Sequence, residues 1–96
     1  MKILALEQEL PHATSEAFKP HLKVEAARLW ELYQAGVIRE LYFSQDRHEA
    51  VLMLECKSVE EAKGLLDTLP LVKAGLIAFD VIPLVPYSGF SRLFGE

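Results

Sequence analysis

The sequence predicts an α+β fold of the ferredoxin-like type, in which the order β-α-β-β-α-β gives a four-stranded antiparallel sheet with two helices on one face. Two β-rich runs, residues 37–43 and 49–56, flank a short polar segment without proline, which is typical of a hairpin. A helical pattern precedes this hairpin and another follows it. A further strand pattern lies beyond each helix. At 96 residues the chain is long enough for one domain, residues 1–96.

Each predicted helix has its own start and stop signals. The first helix is predicted from about residue 19, with Pro20 in its first turn and Gly36 just past its end. Ser58 and Glu61 form a capping box at the start of the second helix, and Pro70 ends that helix. The strands are predicted at residues 2–7, 37–43, 49–56 and 76–85, and loops at residues 13–18 and 71–75.

Composition and charge exclude several classes of protein. The net charge is −4 with no cluster of Lys and Arg, so a nucleic-acid-binding surface is not expected. Cys56 is the single cysteine, and it predicts a buried thiol without a disulfide. The apolar start, residues 1–6, is too short for a signal sequence or a membrane span. We therefore expect a cytoplasmic protein that binds neither nucleic acid nor membrane.

Both faces of the predicted strands are mainly apolar, although one layer of helices covers only one of them. The uncovered face would be larger than the apolar patch that a soluble monomer usually exposes. A second copy of the sheet is the simplest cover, so we expect a homodimer whose sheets face each other in a barrel with the helices outside. Alternation along each strand assigns to the uncovered face Ile3, Ala5, Leu41, Phe43, Val51 and Met53.

The end of the chain, residues 86–96, is predicted to be a tail that packs on a neighbouring subunit. It contains Tyr87, Phe90, Leu93 and Phe94, which are too apolar for a free end in water. The tail is therefore a second reason to expect a homodimer or a higher homo-oligomer.

Three segments carry a family resemblance. Gly-Val-Ile-Arg-Glu-Leu-Tyr at residues 36–42 follows the long helix, Leu-Pro-Leu at residues 69–71 precedes the last strand, and Phe-Asp-Val at residues 79–81 lies within it. In order and spacing these segments resemble the muconolactone isomerase family of dimeric α/β barrels. The resemblance implies a small cofactor-free isomerase that acts on a carboxylated or aromatic-derived ring. The resemblance also aligns Asp80 with a Glu of the family, which makes Asp80 a candidate for substrate binding.

Glu7, Glu55 and Arg39 are predicted to surround an apolar cavity inside the dimer. Alternation places Glu7 and Glu55 on one face of adjacent central strands, and Arg39 on the face of Leu41. Burial would raise the pKa of a carboxyl group and suit it to act as a catalytic base, while Arg39 would hold an anionic substrate. The alternative is that both glutamates lie at strand ends in water or pair with Arg39.

Three further residues are candidates outside this pair of glutamates. His12, in the connector after the first strand, is a candidate acid or base, although a solvated histidine there is the alternative. Tyr33 and Tyr42 are candidates for lining a small-ligand site between helix and sheet, with a purely structural role as the alternative. No pair of histidines has metal-ligand spacing, so neither a metal nor a cofactor is predicted.

The sequence leaves three functions open. The first is a cofactor-free isomerase, the second a barrel that binds a small anionic or aromatic ligand or acts as a monooxygenase, and the third an oligomer without catalysis. A pocket in the assembled protein that contains Arg39 with a carboxylate within hydrogen-bond reach would favour the first, and a solid apolar interface would favour the third.

Overall fold

The computed structural model describes residues 1–95 and confirms the predicted α+β architecture. Four antiparallel strands form one sheet in the order β2-β3-β1-β4. Two short 3-10 turns, Lys19–His21 and Gly89–Phe94, supplement the regular elements. Those elements are β1 (Lys2–Glu9), α1 (Ser15–Phe18), α2 (Leu22–Gln34), β2 (Ile38–Phe43), β3 (Ala50–Glu55), α3 (Val59–Leu66), α4 (Pro70–Lys73) and β4 (Ile77–Leu84).

Two segments predicted as loops each contain one turn of helix. Thr14 caps α1, because its side chain accepts a hydrogen bond from the backbone N–H of Ala17 at 3.1 Å. Pro70 occupies the first turn of α4, where its missing N–H leaves no bond unmade. The proline that prevents α3 from continuing therefore also starts the next helical turn.

The predicted capping box at α3 is present in a shifted form. The Ser58 side chain accepts from the Glu61 N–H at 3.1 Å, as predicted. The Glu61 carboxylate reaches back to the N–H of Lys57 at 3.2 Å, one residue before the capping serine. The N–H groups of Lys57 and Glu61 thus both have side-chain acceptors.

The strand register corrects the predicted assignment of sheet faces. Ile3 lies opposite Leu54, and Ala5 opposite Leu52, so these residues share the face that the helices cover. The prediction that Ile3 and Ala5 belong to the uncovered face is wrong. The assignment of Leu41 and Phe43 to the uncovered face is wrong for the same reason, because they lie opposite Leu52 and Ala50.

A second correction concerns Arg39. The pairing of β2 with β3 shifts between Ile38 and Glu40, which leaves Arg39 as an extra residue in a bulge. The bulge removes Arg39 from the alternation that was expected to align it with Leu41. Its guanidinium Nε instead donates to the backbone carbonyl of Gly36 at 2.6 Å.

The uncovered side of the sheet, called the open face below, is apolar as predicted but has different members. Val51 and Met53 were assigned to it correctly, and they pair with Leu6 and Leu4 of β1. Each of these side chains is partly exposed. The apolar members of the open face are Leu4, Leu6, Val51, Met53, Ile82 and Leu84.

The hydrophobic core lies between the other face of the sheet and the helices. Sheet residues such as Ile3 and Leu54 are no more than 1% exposed. Above them lie Leu32 of α2 and Leu66 of α3, together with Leu69. The core therefore fixes both helices on the same face, as predicted.

The carboxy-terminal segment, called the arm below, follows β4 and extends away from the domain. The structure measures 57 × 29 × 20 Å, and its radius of gyration of 15.7 Å exceeds the value of about 12–13 Å expected for a compact chain of this length. Tyr87 is 72% exposed and Phe94 is 83% exposed. The arm comprises residues 86–95; Glu96, which the predicted tail includes, lies outside the described residues.

Within residues 1–95, no helix combines the length and apolar character that crossing a membrane requires.

Candidate functional site

Helix α2 does not bury the residues that its helical spacing favours. Trp30 and Tyr33 share one apolar stripe, which is the pattern of a helix that faces a core, yet Trp30 is 57% exposed. The buried positions of α2 are instead Glu25 and Leu32. The stripe consequently overhangs the sheet, and a space remains between it and the strands.

This space is a cleft of about 490 Å³. Its roof is α2, its floor is the central sheet, and its outer wall is the end of β2. Apolar and aromatic side chains form most of its surface, as is usual for small-molecule sites. The residues lining the cleft are Glu7, Glu25, Ala26, Leu29, Trp30, Tyr33, Leu41, Tyr42, Phe43, Ala50, Leu52 and Phe79.

Glu7 is the carboxylate on the floor of the cleft. It is 9% exposed, because the helix face of β1 carries it inward with Ile3 and Ala5. Its Oε1 accepts a hydrogen bond from the backbone N–H of Ala50 at 3.0 Å. Burial raises the pKa of Glu7, the bond from Ala50 opposes that rise, and nearby carboxylates, with Glu49 foremost, add to it.

Glu25 is a second buried carboxylate and belongs to the roof. It is 7% exposed, and its Oε1 accepts from the backbone N–H of Leu71 at 2.9 Å. Burial raises the pKa of Glu25, while the bond from Leu71 and the charge of His21 act against the rise. The negative charge of Glu25 in turn raises the pKa of Glu7, so the two groups interact electrostatically.

Aromatic rings form the mouth of the cleft. Trp30 and Tyr33 stack with ring centroids 5.8 Å apart on α2. On the opposite side, Phe43 stacks against His48 of the hairpin loop at 4.0 Å. These flat, partly exposed surfaces suit the binding of a planar ring.

The charge inside the cleft has one sign. Glu7 and Glu25 are its charged members, and among residues 1–95 no lysine, arginine or histidine contributes to the lining. No group of three or more potential metal-ligating side chains is present in this described part of the chain. The two carboxyl groups of the cleft are able to accept or donate a proton.

Two solved structures share this architecture. A crystal structure of muconolactone isomerase matches with a TM-score of 0.75 at 19% identity, over 92% of each chain. The chain has the fold of muconolactone isomerase. The 5-chloro-2-hydroxyhydroquinone dehydrochlorinase from Burkholderia phenoliruptrix AC1100, in complex with 2,5-dihydroxybenzoquinone, matches with a TM-score of 0.66 at 20% identity, over 93% of this chain and 98% of that one. No protein-family profile and no curated protein sequence matches the chain.

On this muconolactone isomerase fold, three of the predicted site residues come together. Glu7, Tyr33 and Tyr42 all line the cleft. The Tyr42 hydroxyl donates to Glu40 at 2.8 Å, and this bond is the main reason that the pKa of Tyr42 is raised. Tyr33 and Tyr42 were predicted to lie between helix and sheet, whereas Glu7 was predicted to lie inside the dimer on the uncovered face. The register of β1 places Glu7 on the helix face instead, so its predicted location is wrong.

Four predicted site residues lie outside the cleft. Glu55 is on the opposite face of the sheet from Glu7, so the expected proximity of the two carboxylates is wrong. It binds the amino terminus of Met1 at 2.6 Å, and this bond is the main reason that the pKa of Glu55 is lowered. The others also lie away from the lining: Arg39 in the bulge, His12 in an exposed turn and Asp80 exposed opposite Leu6 on the open face.

The prediction missed Glu25 and the role of Trp30 as part of the mouth. A signal for Glu25 exists in the sequence, because Glu25, Leu29 and Leu32 follow the four- and three-residue steps of one helical face. A lone acidic residue in such a stripe indicates a buried carboxyl group with a specific partner. For Trp30 no local signal separates a core position from a cleft wall.

Two substitutions of Glu25 should have opposite effects on stability. Glu25→Ala leaves the buried Leu71 N–H without its acceptor, which we expect to lower the free energy of unfolding by about 1–3 kcal/mol. Glu25→Gln keeps an acceptor oxygen and removes the buried charge. Because the pKa of Glu25 is raised on folding, its ionisation lowers stability as the pH rises from the unfolded-state pKa through the folded-state pKa.

The Glu25→Gln variant should therefore be more stable than the wild type at pH 8, and the difference in stability should be smaller at pH 4. Thermal unfolding of both variants at the two pH values measures this difference. Equal destabilisation by Gln and Ala would show that Glu25 does not act through the Leu71 bond.

Proposed function

We propose that the cleft binds a small ring compound and that Glu7 removes a proton from it, in a cofactor-free reaction of the muconolactone isomerase type. The observation that carries this proposal is a buried carboxylate with a raised pKa at the floor of an apolar cleft of about 490 Å³. The two proteins of similar fold support it, since one is an isomerase of a lactone and the other is a dehydrochlorinase in complex with a dihydroxybenzoquinone.

The proposed step is proton abstraction from a carbon beside a carbonyl group. The Ala50 N–H holds Oε1 of Glu7, which leaves Oε2 to accept the proton as the C–H bond breaks. The raised pKa makes Glu7 a stronger base than an exposed carboxylate. Return of a proton from the Glu7 carboxyl group to another carbon of the ring moves the double bond and completes an isomerisation, with no oxidant or reductant consumed.

The ligand class follows from the lining. Trp30, Tyr33 and Phe43 offer flat apolar surfaces, so a planar or nearly planar ring fits the cleft. Glu7 and Glu25 repel an anion inside it, and the lining among residues 1–95 supplies no basic side chain to offset them. An acidic group on the substrate would therefore remain at the open mouth, with the neutral ring inside.

A panel of unsaturated lactones and hydroxylated quinones, followed by ultraviolet absorbance, tests this proposal. Turnover of a ring compound with an acidic C–H beside its carbonyl is the expected result. Exchange of that hydrogen for deuterium from solvent, followed by mass spectrometry, detects the abstraction even when no net product forms. Saturable binding of such rings without exchange or turnover would contradict catalysis and favour the second function, a ligand-binding barrel.

We further propose that the protein is a homodimer assembled through the open face. Six partly exposed apolar side chains cover its centre, from Leu4 and Leu6 of β1 to Met53 of β3 and Ile82 of β4. Polar residues surround them at the edges, among them Glu55 and Asp80. A second copy with the same pattern would cover the apolar centre and leave the charges in water.

A lysine in the centre of the open face should weaken this dimer. In Met53→Lys, each copy would place a charge in the apolar centre, so we expect the dissociation constant to rise by about tenfold or more. Sedimentation equilibrium at micromolar concentration measures the change. Val24→Lys is the matched control, because Val24 is 58% exposed on α2 and lines neither the cleft nor the open face.

A wild-type mass of 10.8 kDa in solution would contradict the dimer outright. Equal dissociation constants for Met53→Lys and Val24→Lys would place the interface elsewhere.

A further inference from the structure

We infer that the cleft selects ring compounds that carry a positively charged amino group, and that Glu25 is the residue that binds this group. The inference names the class of ligand that the cleft takes. It rests on the proposed function only where it identifies this ligand with the substrate, because an amine binds to the cleft whether or not Glu7 is catalytic.

Glu7 and Glu25 have no ion-pair partner within the protein. The two side chains are 9% and 7% exposed, yet neither takes part in a salt bridge among residues 1–95. Carboxylates are rarely buried to this extent unless an opposite charge or several hydrogen-bond donors compensate for the lost water. A ligand that brings a positive charge into the cleft would supply this compensation.

Each of the two carboxylates also has unused capacity to accept hydrogen bonds. Oε1 of Glu25 accepts from the Leu71 N–H, and Oε1 of Glu7 accepts from the Ala50 N–H. One such bond leaves most of the acceptor sites of an ionised carboxylate free. In the part of the chain that the structure describes, no fully buried side-chain oxygen lacks a hydrogen-bond partner. The second oxygen of each carboxylate is therefore accessible, and a ligand in the cleft that both residues line would reach it.

The charges around the floor of the cleft are also negative. Glu9 and Glu49 lie close enough to raise the pKa of Glu7, and the Glu49 carboxylate accepts from the Glu9 N–H at 3.2 Å. Near the roof, His21 has the opposite effect on Glu25, but it does not line the cleft. Because charges interact more strongly in an apolar cleft than in water, this arrangement attracts a cation and repels an anion.

The aromatic rings at the mouth favour the same ligand. Trp30 is 57% exposed and stacks against Tyr33, and Tyr42 and Phe43 are exposed on the opposite side. The faces of such rings attract a cation, and tryptophan does so most strongly. A neutral ring gains only contact with these surfaces, whereas a ring with an ammonium group is also attracted by their charge distribution. The mouth and the interior of the cleft thus select the same charge.

Glu25 is better placed than Glu7 to bind the amine of a substrate. Glu25 is in the first turn of α2, above the ring, and Glu7 is on the floor, where it is proposed to remove a proton. A ring between them would present its amine to the roof and its acidic C–H to the floor. The ammonium charge would then stabilise the negative charge that develops on the ring, a role for which the lining among residues 1–95 has no basic side chain.

Three compounds of nearly equal size separate the effect of charge from that of shape. At neutral pH, benzylamine is a cation, benzyl alcohol is neutral and benzoate is an anion. Benzylamine should bind about tenfold more tightly than benzyl alcohol or better, and benzoate should bind more weakly than the alcohol. Quenching of Trp30, the single tryptophan of the chain, and isothermal titration both measure these affinities.

Substitution of Glu25 tests the assigned residue. Glu25→Gln should remove most of the preference for benzylamine over benzyl alcohol and leave the affinity for the alcohol close to that of the wild type. The amide retains an acceptor for the Leu71 N–H, so the roof of the cleft keeps its shape. Glu31→Gln is the matched control, because Glu31 is exposed on the same helix and does not line the cleft. Circular dichroism checks that each variant keeps its fold.

Equal affinities of the wild type for benzylamine and benzyl alcohol would overturn the inference. A preference for the amine that persists in Glu25→Gln, or that is lost equally in Glu31→Gln, would overturn it as well. None of these measurements depends on turnover. Amine-selective binding without deuterium exchange would contradict the proposed function alone, and exchange into neutral rings without selectivity for amines would contradict this inference alone.

Discussion

Replacing Glu7 by Gln is expected to lower the rate of proton abstraction from a ring substrate by about 10²–10⁴-fold. The substitution removes the ionisable group and changes little else. The amide oxygen of Gln retains an acceptor for the Ala50 N–H, which Glu7 binds at 3.0 Å. The side chain also keeps its length, so the shape of the cleft is preserved. Solvent-deuterium exchange into the substrate measures the rate at saturating substrate.

The matched control for this substitution is Glu9→Gln. Glu9 is on the same strand and its charge raises the pKa of Glu7, yet it is exposed and does not line the cleft. This variant should retain most of the exchange activity. Wild-type exchange in Glu7→Gln would remove Glu7 from the proposed mechanism.

The pH dependence of the reaction follows from the same residue. Glu7 is active as a base only when ionised, so the rate should rise with pH through its pKa, which burial raises above the ordinary value for a glutamate. Glu9→Gln removes one nearby negative charge and should move this rise to a lower pH. If the rate instead rose with pH around the ordinary pKa of an exposed glutamate, Glu7 would not be the titrating base.

As the pH rises, the ionisation of Glu7 should lower stability while it raises activity. The folded chain holds the Glu7 proton to a higher pH than the unfolded chain does, because the folded-state pKa is raised. Ionisation of Glu7 therefore lowers the free energy of unfolding as the pH rises from the unfolded-state pKa through the folded-state pKa. Glu7→Gln should melt at a higher temperature than the wild type at neutral pH. A variant that lost activity because it misfolds would instead melt at a lower temperature.

The fold could be predicted from the sequence because its signals are local. Pro20, Ser58 and Pro70 mark helix ends through constraints on their own backbone, and the structure places helical boundaries beside each of them. The order of elements then leaves few arrangements for a four-stranded sheet. The resemblance in short segments agrees with this fold, and the solved muconolactone isomerase structure confirms it.

The assignment of faces could not be predicted in the same way. Alternation shows which residues of one strand share a face, but the phase between two strands depends on their pairing. The register that sets Ala5 opposite Leu52 exchanged the predicted faces of β1 relative to β3. The bulge at Arg39 has a similar origin, because it depends on how β2 meets β3 and not on the residues of β2 alone.

The composition of the site depends on these nonlocal features. Glu7 was found because it is an acidic residue within a strand, but its predicted partner Glu55 is on the other face of the sheet. Its actual partner in the cleft, Glu25, comes from α2, whose rotation is set by the packing of Leu32 against the core. A single sequence gives the identities of these residues but not the distances between them in the fold.

Replacing Leu52 by Ala is expected to destabilise the protein and to enlarge the cleft at once. Leu52 is 1% exposed in the core and also forms part of the cleft floor. Removal of its buried side-chain atoms should lower the free energy of unfolding by about 2–5 kcal/mol. For a chain of this size, each kcal/mol corresponds to a decrease of about 4–8 °C in the melting temperature. Thermal and urea unfolding measure the loss.

Leu54→Ala separates the two effects. Leu54 is equally buried on the same strand but does not line the cleft, so its truncation should cost about the same stability. Only Leu52→Ala should alter which rings bind, by admitting one with an added methyl or chloro substituent that the wild type excludes. Isothermal titration of a matched pair of substituted and unsubstituted rings with both variants tests this difference. An identical preference in the two variants would show that the ring does not reach the floor of the cleft, where Glu7 is placed to act on it.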